Sequence, residues 1–230
     1  MPDAVFLTGI TGTVGSWLAA EALRHGVRVI ALLRDAAEEQ ARSRLESVLR
    51  TAGAGEAARD VEIVLGDLCR PGLGLGNARR ALAGTGAIWH CAAFTGFAEG
   101  SRQVNYDTNV QGTAAMLEVA ESLHLPVVHI STAYVSGKRN GVVREDELDV
   151  GQAFHNPYEG SKCKAEELVH RWAAATGLDA VILRPGIILG DWTTGRTVHF
   201  NTVYHLMRFF DSEVAPHGVD SCRFQQSNRN

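Results

Sequence analysis

Apolar residues along the chain cluster in short runs separated by longer amphipathic stretches. The runs are "AVFLT" (4–8), "VRVIALL" (27–33), "VEIVL" (61–65), "AIWH" (87–90), "VVHIS" (127–131) and "AVILR" (180–184). They have the length and the β-branched content of strands buried on both faces. The segments between them are long enough for crossover helices. "EEQARSRLESVLRTAG" is rich in helix formers and ends at Gly53, and "TNVQGTAAMLEVAESLHLP" stops at Pro126. Strand and helix in alternation predict an α/β chain with a doubly wound parallel sheet. Only the end departs from this order. "DSEVAPHGVDSCRFQQSNRN" has no apolar period and much turn chemistry, which predicts a disordered tail over 211–230.

Composition narrows the partner. The 230 residues are 45% hydrophobic and 21% charged, enough for one well-buried α/β domain and too few for two. A formal net charge of −4 with scattered basic residues gives no footprint for nucleic acid or an anionic membrane surface, so a small molecule is expected. No apolar stretch reaches the ~18 residues of a membrane span, and no basic leader precedes the first strand, which predicts a cytoplasmic protein. Cys69, Cys91, Cys163 and Cys222 are far apart and show no metal-ligand spacing. They are expected to be reduced and structural, with no metal site.

Between the first strand and the first helix lie Gly9, Gly12 and Gly15. Such a turn presents unpaired backbone N–H groups at a helix N-terminus, where the helix dipole also favours an anion. Gly9 permits the turn, Gly12 lets phosphates approach the backbone, and Gly15 lets the helix pack close to the strand. GxxGxxG is a weak signal by itself in a chain with 24 glycines; its place in the chain predicts a dinucleotide site. Arg34, at the end of the second strand, can pair with a 2′-phosphate, which favours NADP (NADPH) over NAD. The neighbouring Asp35 opposes that reading, and an exposed Arg beside an Asp is the competing one.

Farther on, Tyr158 and Lys162 stand four apart in a segment that should be helical after Pro157, which puts them on one face. A tyrosine can serve as an acid if a nearby ammonium lowers its pKa from ~10. The alternative is an ordinary exposed helix pair. What favours chemistry is the order of parts: glycine loop, then "HISTAYVSG" at the fifth strand, then Tyr-x-x-x-Lys in the next helix.

With these residues the chain resembles the extended short-chain dehydrogenase/reductase family, a Rossmann-fold group, over residues 4 to about 190. Thr8, Gly9, Ile10, Thr11, Gly12, Thr13, Val14 and Gly15 match its cofactor loop. The resemblance implies that Thr132 completes a catalytic triad with Tyr158 and Lys162, with Ser131 beside it at the cofactor. It likewise implies cofactor contacts from Asp67 and Leu68 in "GDL", from Ala92 and Ala93 in "HCAA", and from Pro185, Gly186, Ile187 and Ile188 in "RPGIILG". Asn109 matches the family's structural and proton-relay asparagine. Plainer roles compete: Asp67 could cap a turn, Asn109 could cap a helix, and Thr132 could be a buried hydroxyl bonded to a carbonyl.

"HCAAFTGF", "HISTAYVSGKRNG" and "GDLCRPGLGL" look most like the thioester-reductase branch, which contains fatty acyl-CoA reductases and terminal reductase domains. The branch implies reduction by NADPH of an acyl thioester, on coenzyme A or a carrier protein, to an aldehyde or alcohol. An epimerase or reductase acting on a nucleotide-sugar or ketone would use the same triad. Dehydratases of that group usually carry Asp-Glu after the triad Thr, where this chain has Ala133 and Tyr134. A non-catalytic NADP-binding sensor would need the glycines without Tyr158 and Lys162. By the resemblance, residues 1–190 are the NAD(P)-binding domain and 191–210 the remnant of a truncated C-terminal substrate lobe, with a helix over 197–210 placing Val203, Leu206 and Phe210 on one stripe. A homodimer is the expected assembly.

Overall fold

Val5 and Leu7 pack into one apolar cluster while Phe6, between them, packs into another. That alternation inside an all-apolar run is what a strand covered on both faces produces. In the computed structural model of the chain, which describes residues 2–34, 37–200, 203–204 and 207–208, this strand is β1 (Ala4–Thr8). It lies at the centre of a six-stranded sheet with β2 (Arg28–Leu33), β3 (Glu62–Leu65), β4 (Ala87–His90), β5 (Val127–Ile130) and β6 (Ala180–Leu183). The order is β3-β2-β1-β4-β5-β6, and every pairing is parallel. The predicted doubly wound sheet is therefore present, with each of the six runs forming a strand.

Helices cover both faces. Leu45 and Leu49 of α2 (Glu38–Thr51), with Ala19 and Ala20 of α1 (Thr13–Arg24), pack against Val5, Leu7 and Val29. On the opposite face Met116 and Leu117 of α4 (Gly112–Leu123) and Val169 and Trp172 of α5 (Pro157–Thr176) pack against Phe6, Ile88 and Val127. The helix predicted from residue 108 starts differently. A short α3 (Arg102–Asn105) runs into a π-wound turn, Tyr106–Gln111, before α4 begins. π-turns of this kind commonly accompany functional side chains.

The chain divides into two units, Met1–Val198 and His199–Asn230. The first carries the sheet and every candidate site residue. In the second, Val203, Tyr204, Met207 and Arg208 are helical, whereas Leu206, Phe210 and the predicted tail 211–230 lie outside the described residues. Cys69, Cys91 and Cys163 are free thiols; Cys222 also lies outside the described residues. Among the described residues, no helix is long and apolar enough to cross a membrane.

Candidate active site

In an open parallel sheet a crevice forms at the carboxyl ends of the strands where their order reverses. Here that point lies between β1 and β4. Gly9, just past β1, has φ +77°, and a Cβ there would stand 2.5 Å from the Ala92 nitrogen after β4. The Gly12 N–H donates to the Gly9 carbonyl at 3.0 Å, and a Cβ on Gly15 would collide with that same carbonyl oxygen. Helix α1 then starts at Thr13 with Gly12 as its N-cap, with neither a side-chain cap nor an acidic residue in its first turn. The first amides, at Thr13, Val14 and Gly15, have no acceptor within the helix. A cradle that a Cβ at position 9 or 15 would fill, opening on uncapped amides, fits a dinucleotide diphosphate.

Other expected cofactor residues reach the same edge from other strands. Arg34 is exposed at the end of β2, and Asp35 lies outside the described residues. Asp67 follows β3, where one carboxylate oxygen accepts the Cys69 N–H at 2.9 Å and so also caps a turn. Ala92 and the exposed Ala93 follow β4, while Pro185, Gly186, Ile187 and Ile188 follow β6. Two residues grouped with the site are placed in the core instead. The Thr8 hydroxyl lies 2.7 Å from His90 Nδ1, and Leu68 packs beneath Gly112 in the apolar cluster.

The start of α5 is pinned by a reciprocal cap. Asn156 accepts the Glu159 N–H at 3.1 Å and returns a bond to its carboxylate at 3.0 Å, with Pro157 next in the chain. This fixes Tyr158 in the first turn and Lys162 one turn later. The Thr132 hydroxyl is near enough to the Tyr158 phenol to favour its ionised form, so the structure brings these two candidates together. Thr132 also accepts the Tyr134 N–H at 3.3 Å and is 3.5 Å from the Pro185 carbonyl. Burial pushes the Tyr158 phenol up, and the nearby Thr132 hydroxyl offsets only part of that. The expected lowering by Lys162 is not found, because its Nζ is directed elsewhere, donating to the Ile130 carbonyl at 2.7 Å. Burial lowers Lys162 itself to about 8, so it is still largely a cation at neutral pH. A phenol held above its ordinary value keeps its proton there too, as a proton donor must.

Asn109, on the π-turn, accepts from the Phe94 N–H at 2.7 Å and donates to the Phe94 carbonyl at 2.9 Å and to Ser161 Oγ at 2.8 Å. Asn105 holds the Gly96 carbonyl at 2.7 Å. These two buried amides tie down the irregular segment after β4 and set Phe97 against Tyr158, ring centroids 5.7 Å apart. Ser131 belongs to a different network. Its hydroxyl donates to the buried Glu166 at 2.6 Å, and Glu166 also accepts from Arg184 at 2.9 Å.

Sequence reasoning missed two buried histidines, His90 at the end of β4 and His129 one residue before the end of β5. The available signal was a polar residue at the same place in two apolar runs, as with Thr8 in a third. Burial lowers His90 to about 3 and His129 well below its ordinary value, so both rings are neutral. As pH falls below 6.5 the unfolded chain binds protons there that the folded chain does not, so stability falls with pH. His90 alone should remove about 2 kcal/mol at pH 5 relative to pH 7. Urea denaturation at the two pH values should show a lower midpoint at pH 5, and equal midpoints would contradict the assignment.

The NAD-binding family described as "Male sterility protein" matches residues 7–224. The chain belongs to that family. Within it, the chain falls in the thioester-reductase branch of the extended short-chain dehydrogenases/reductases. The male sterility match is joined by 31% identity to the nonribosomal peptide synthetase asaC of Aspergillus flavus, over 84% of this chain and 20% of that protein. Among solved structures, the terminal R domain from the myxalamid PKS-NRPS pathway superposes with a TM-score of 0.83 at 29% identity, covering 95% of this chain and 57% of that one. The reductase domain of a nonribosomal peptide synthetase from Mycobacterium tuberculosis gives 0.63 at 31% identity, covering 81% and 48%. The chain thus spans about half the length of those solved reductase chains.

Proposed function

We propose that the chain is the cofactor-binding and catalytic part of a reductase that converts an acyl thioester, carried on coenzyme A or a carrier protein, to an aldehyde, with NADPH as the preferred cofactor. The observation that carries this reading is the Tyr158–Thr132 pair, with Thr132 past the carboxyl end of β5 as the glycine cradle is past that of β1, in a chain whose relatives include reductase domains of peptide synthetases. NADPH, when bound, supplies the hydride. The first-turn amides of α1 hold the diphosphate, Arg34 the 2′-phosphate and Asp67 the adenine end. Tyr158 donates its proton to the thioester oxygen as the carbonyl carbon is reduced, and Thr132 hydrogen-bonds that oxygen. Tyr158 recovers the proton as the C–S bond breaks, so that aldehyde and thiolate leave with the acid regenerated. Lys162 provides a buried cation one turn from the acid, and the nicotinamide ribose is its proposed ligand.

An S-acyl pantetheine thioester with NADPH tests the substrate class, with free thiol and NADPH absorbance followed together. One thiol released per NADPH oxidised is expected. Thiol release without NADPH oxidation, or oxidation with a nucleotide-sugar or ketone alone, would overturn the reading. For the cofactor, Arg34→Ala should weaken NADPH binding about tenfold or more and leave NADH binding unchanged. Fluorescence titration of both nucleotides checks it; equal loss for the two removes Arg34 from the 2′-phosphate.

A further inference from the structure

Thr8, His90 and His129 lie in one register row across three neighbouring strands, and all three are fully buried. Around His90 the hydrogen-bond directions are determined. Thr113 donates its hydroxyl proton to the Asn109 carbonyl at 2.6 Å and so accepts from His90 Nε2 at 3.0 Å. Thr8 then donates to Nδ1 while accepting the Ala92 N–H at 3.4 Å. His90 is a neutral imidazole with its proton on Nε2, satisfied on both sides.

His129 is arranged differently. Its Nε2 lies 3.3 Å from Lys162 Nζ, whereas its Nδ1 is buried with no hydrogen-bond partner among the described residues. A buried ring nitrogen without a partner is destabilising, and a phenyl ring would fill the same space without that cost. Among the described residues, the interaction that offsets it is on the Nε2 side. Lys162 is 2% exposed and donates also to the Ile130 carbonyl, so a second acceptor is what its buried ammonium requires.

We propose that His129 is a positioning residue for Lys162: a neutral imidazole with its proton on Nδ1 that accepts from the ammonium at Nε2 and holds it against the Ile130 carbonyl, one helical turn beyond Tyr158. The significance of that position rests on reading Lys162 as part of the reductase site, but the position itself is measurable without turnover. The groups facing the ammonium are Cys91 after β4, His90 on β4, His129 on β5 and Glu166 on α5. Burial opposes its charge and the Glu166 carboxylate favours it, while Cys91, pushed up to about 12 by burial, is a neutral thiol at pH 7. Burial first, and then the ammonium, keep the His129 ring from taking a proton of its own. The two histidines therefore carry opposite tautomers for the same reason: each ring nitrogen is set by what faces it.

The first test uses the unaltered chain at pH 7 with 15N-labelled histidine, the ring signals being assigned with His90→Gln and His129→Gln. The Nε2–H tautomer is expected for His90 and the Nδ1–H tautomer for His129. A His129 ring that is protonated, or that carries its proton on Nε2, overturns the proposal. The second test follows the Cε signals of 13C-labelled lysine against pH, in a chain whose three lysines are Lys138, Lys162 and Lys164. His129→Phe should lower the Lys162 midpoint by about one pH unit, and His129→Gln, which keeps an acceptor, should restore most of it. An unchanged midpoint in folded His129→Phe overturns the proposal, and if that variant does not fold, the ring spectrum of the unaltered chain decides. Failure of the reductase reading would look different: the expected tautomers, with no thioester reduced.

Discussion

Tyr158→Phe should lower thioester-dependent turnover by ~10²-fold or more while leaving NADPH affinity near that of the unaltered chain. The change deletes the one proton donor at the proposed carbonyl position and almost no volume. It should also leave the fold intact. Thr132, the hydroxyl near the phenol, still accepts the Tyr134 N–H and lies 3.5 Å from the Pro185 carbonyl, so no buried polar atom is orphaned. The phenol is raised by burial and is protonated across the neutral range, so moving pH between 8 and 6 leaves the acid of the unaltered chain in its donating form. Steady-state rates and a nucleotide titration on one preparation check both halves. Undiminished turnover would remove Tyr158 from the chemistry, and a parallel loss of affinity would make it a binding residue.

The second large effect concerns the cradle. Gly9 and Gly26 both have positive φ, +77° and +72°, so alanine at either meets the same left-handed backbone penalty, about 1–2 kcal/mol. Their surroundings differ. A Cβ at Gly26 meets nothing within 4 Å, whereas one at Gly9 stands 2.5 Å from the backbone nitrogen of Ala92. Gly9→Ala should therefore cost about 3 kcal/mol or more and force β1 and β4 apart at the crevice, with loss of NADPH binding. Gly26→Ala should cost only the backbone penalty and bind NADPH normally. Denaturation midpoints and nucleotide titrations of the pair isolate the close approach. Equal destabilisation, with equal binding, would contradict the assignment of the crevice to the cofactor.

What the sequence made legible follows from how strongly each feature constrains the chain. All six strands were readable, because a parallel sheet covered on both faces demands unbroken apolar runs of a length that helices do not use. The glycines were readable because a backbone collision at Gly9 and Gly15 admits no other residue. Tyr158 and Thr132 were expected to meet, and they do. The role of Lys162 was less accessible. Helical spacing puts it on the face of Tyr158, but its long side chain ends at the Ile130 carbonyl and His129, and only tertiary structure decides that. Thr8 and Leu68 were grouped with the loop because they adjoin it in sequence, yet strand alternation and packing turn both into the core. Ser131, one residue from Thr132, is committed to Glu166. The buried histidines were missed because a lone polar residue in an apolar run has no periodicity to betray it, and neither did the sequence signal the π-wound turn that carries Asn109.

The central claim is that a hydride from NADPH bound in this crevice reaches a thioester carbonyl. Incubation of the chain with NADPH deuterated at the transferring position and an S-acyl pantetheine, followed by mass spectrometry of the trapped aldehyde, tests it even at low turnover. One deuterium is expected on the aldehyde carbon, with none in Tyr158→Phe. Bound NADPH with an unlabelled or absent aldehyde would contradict it.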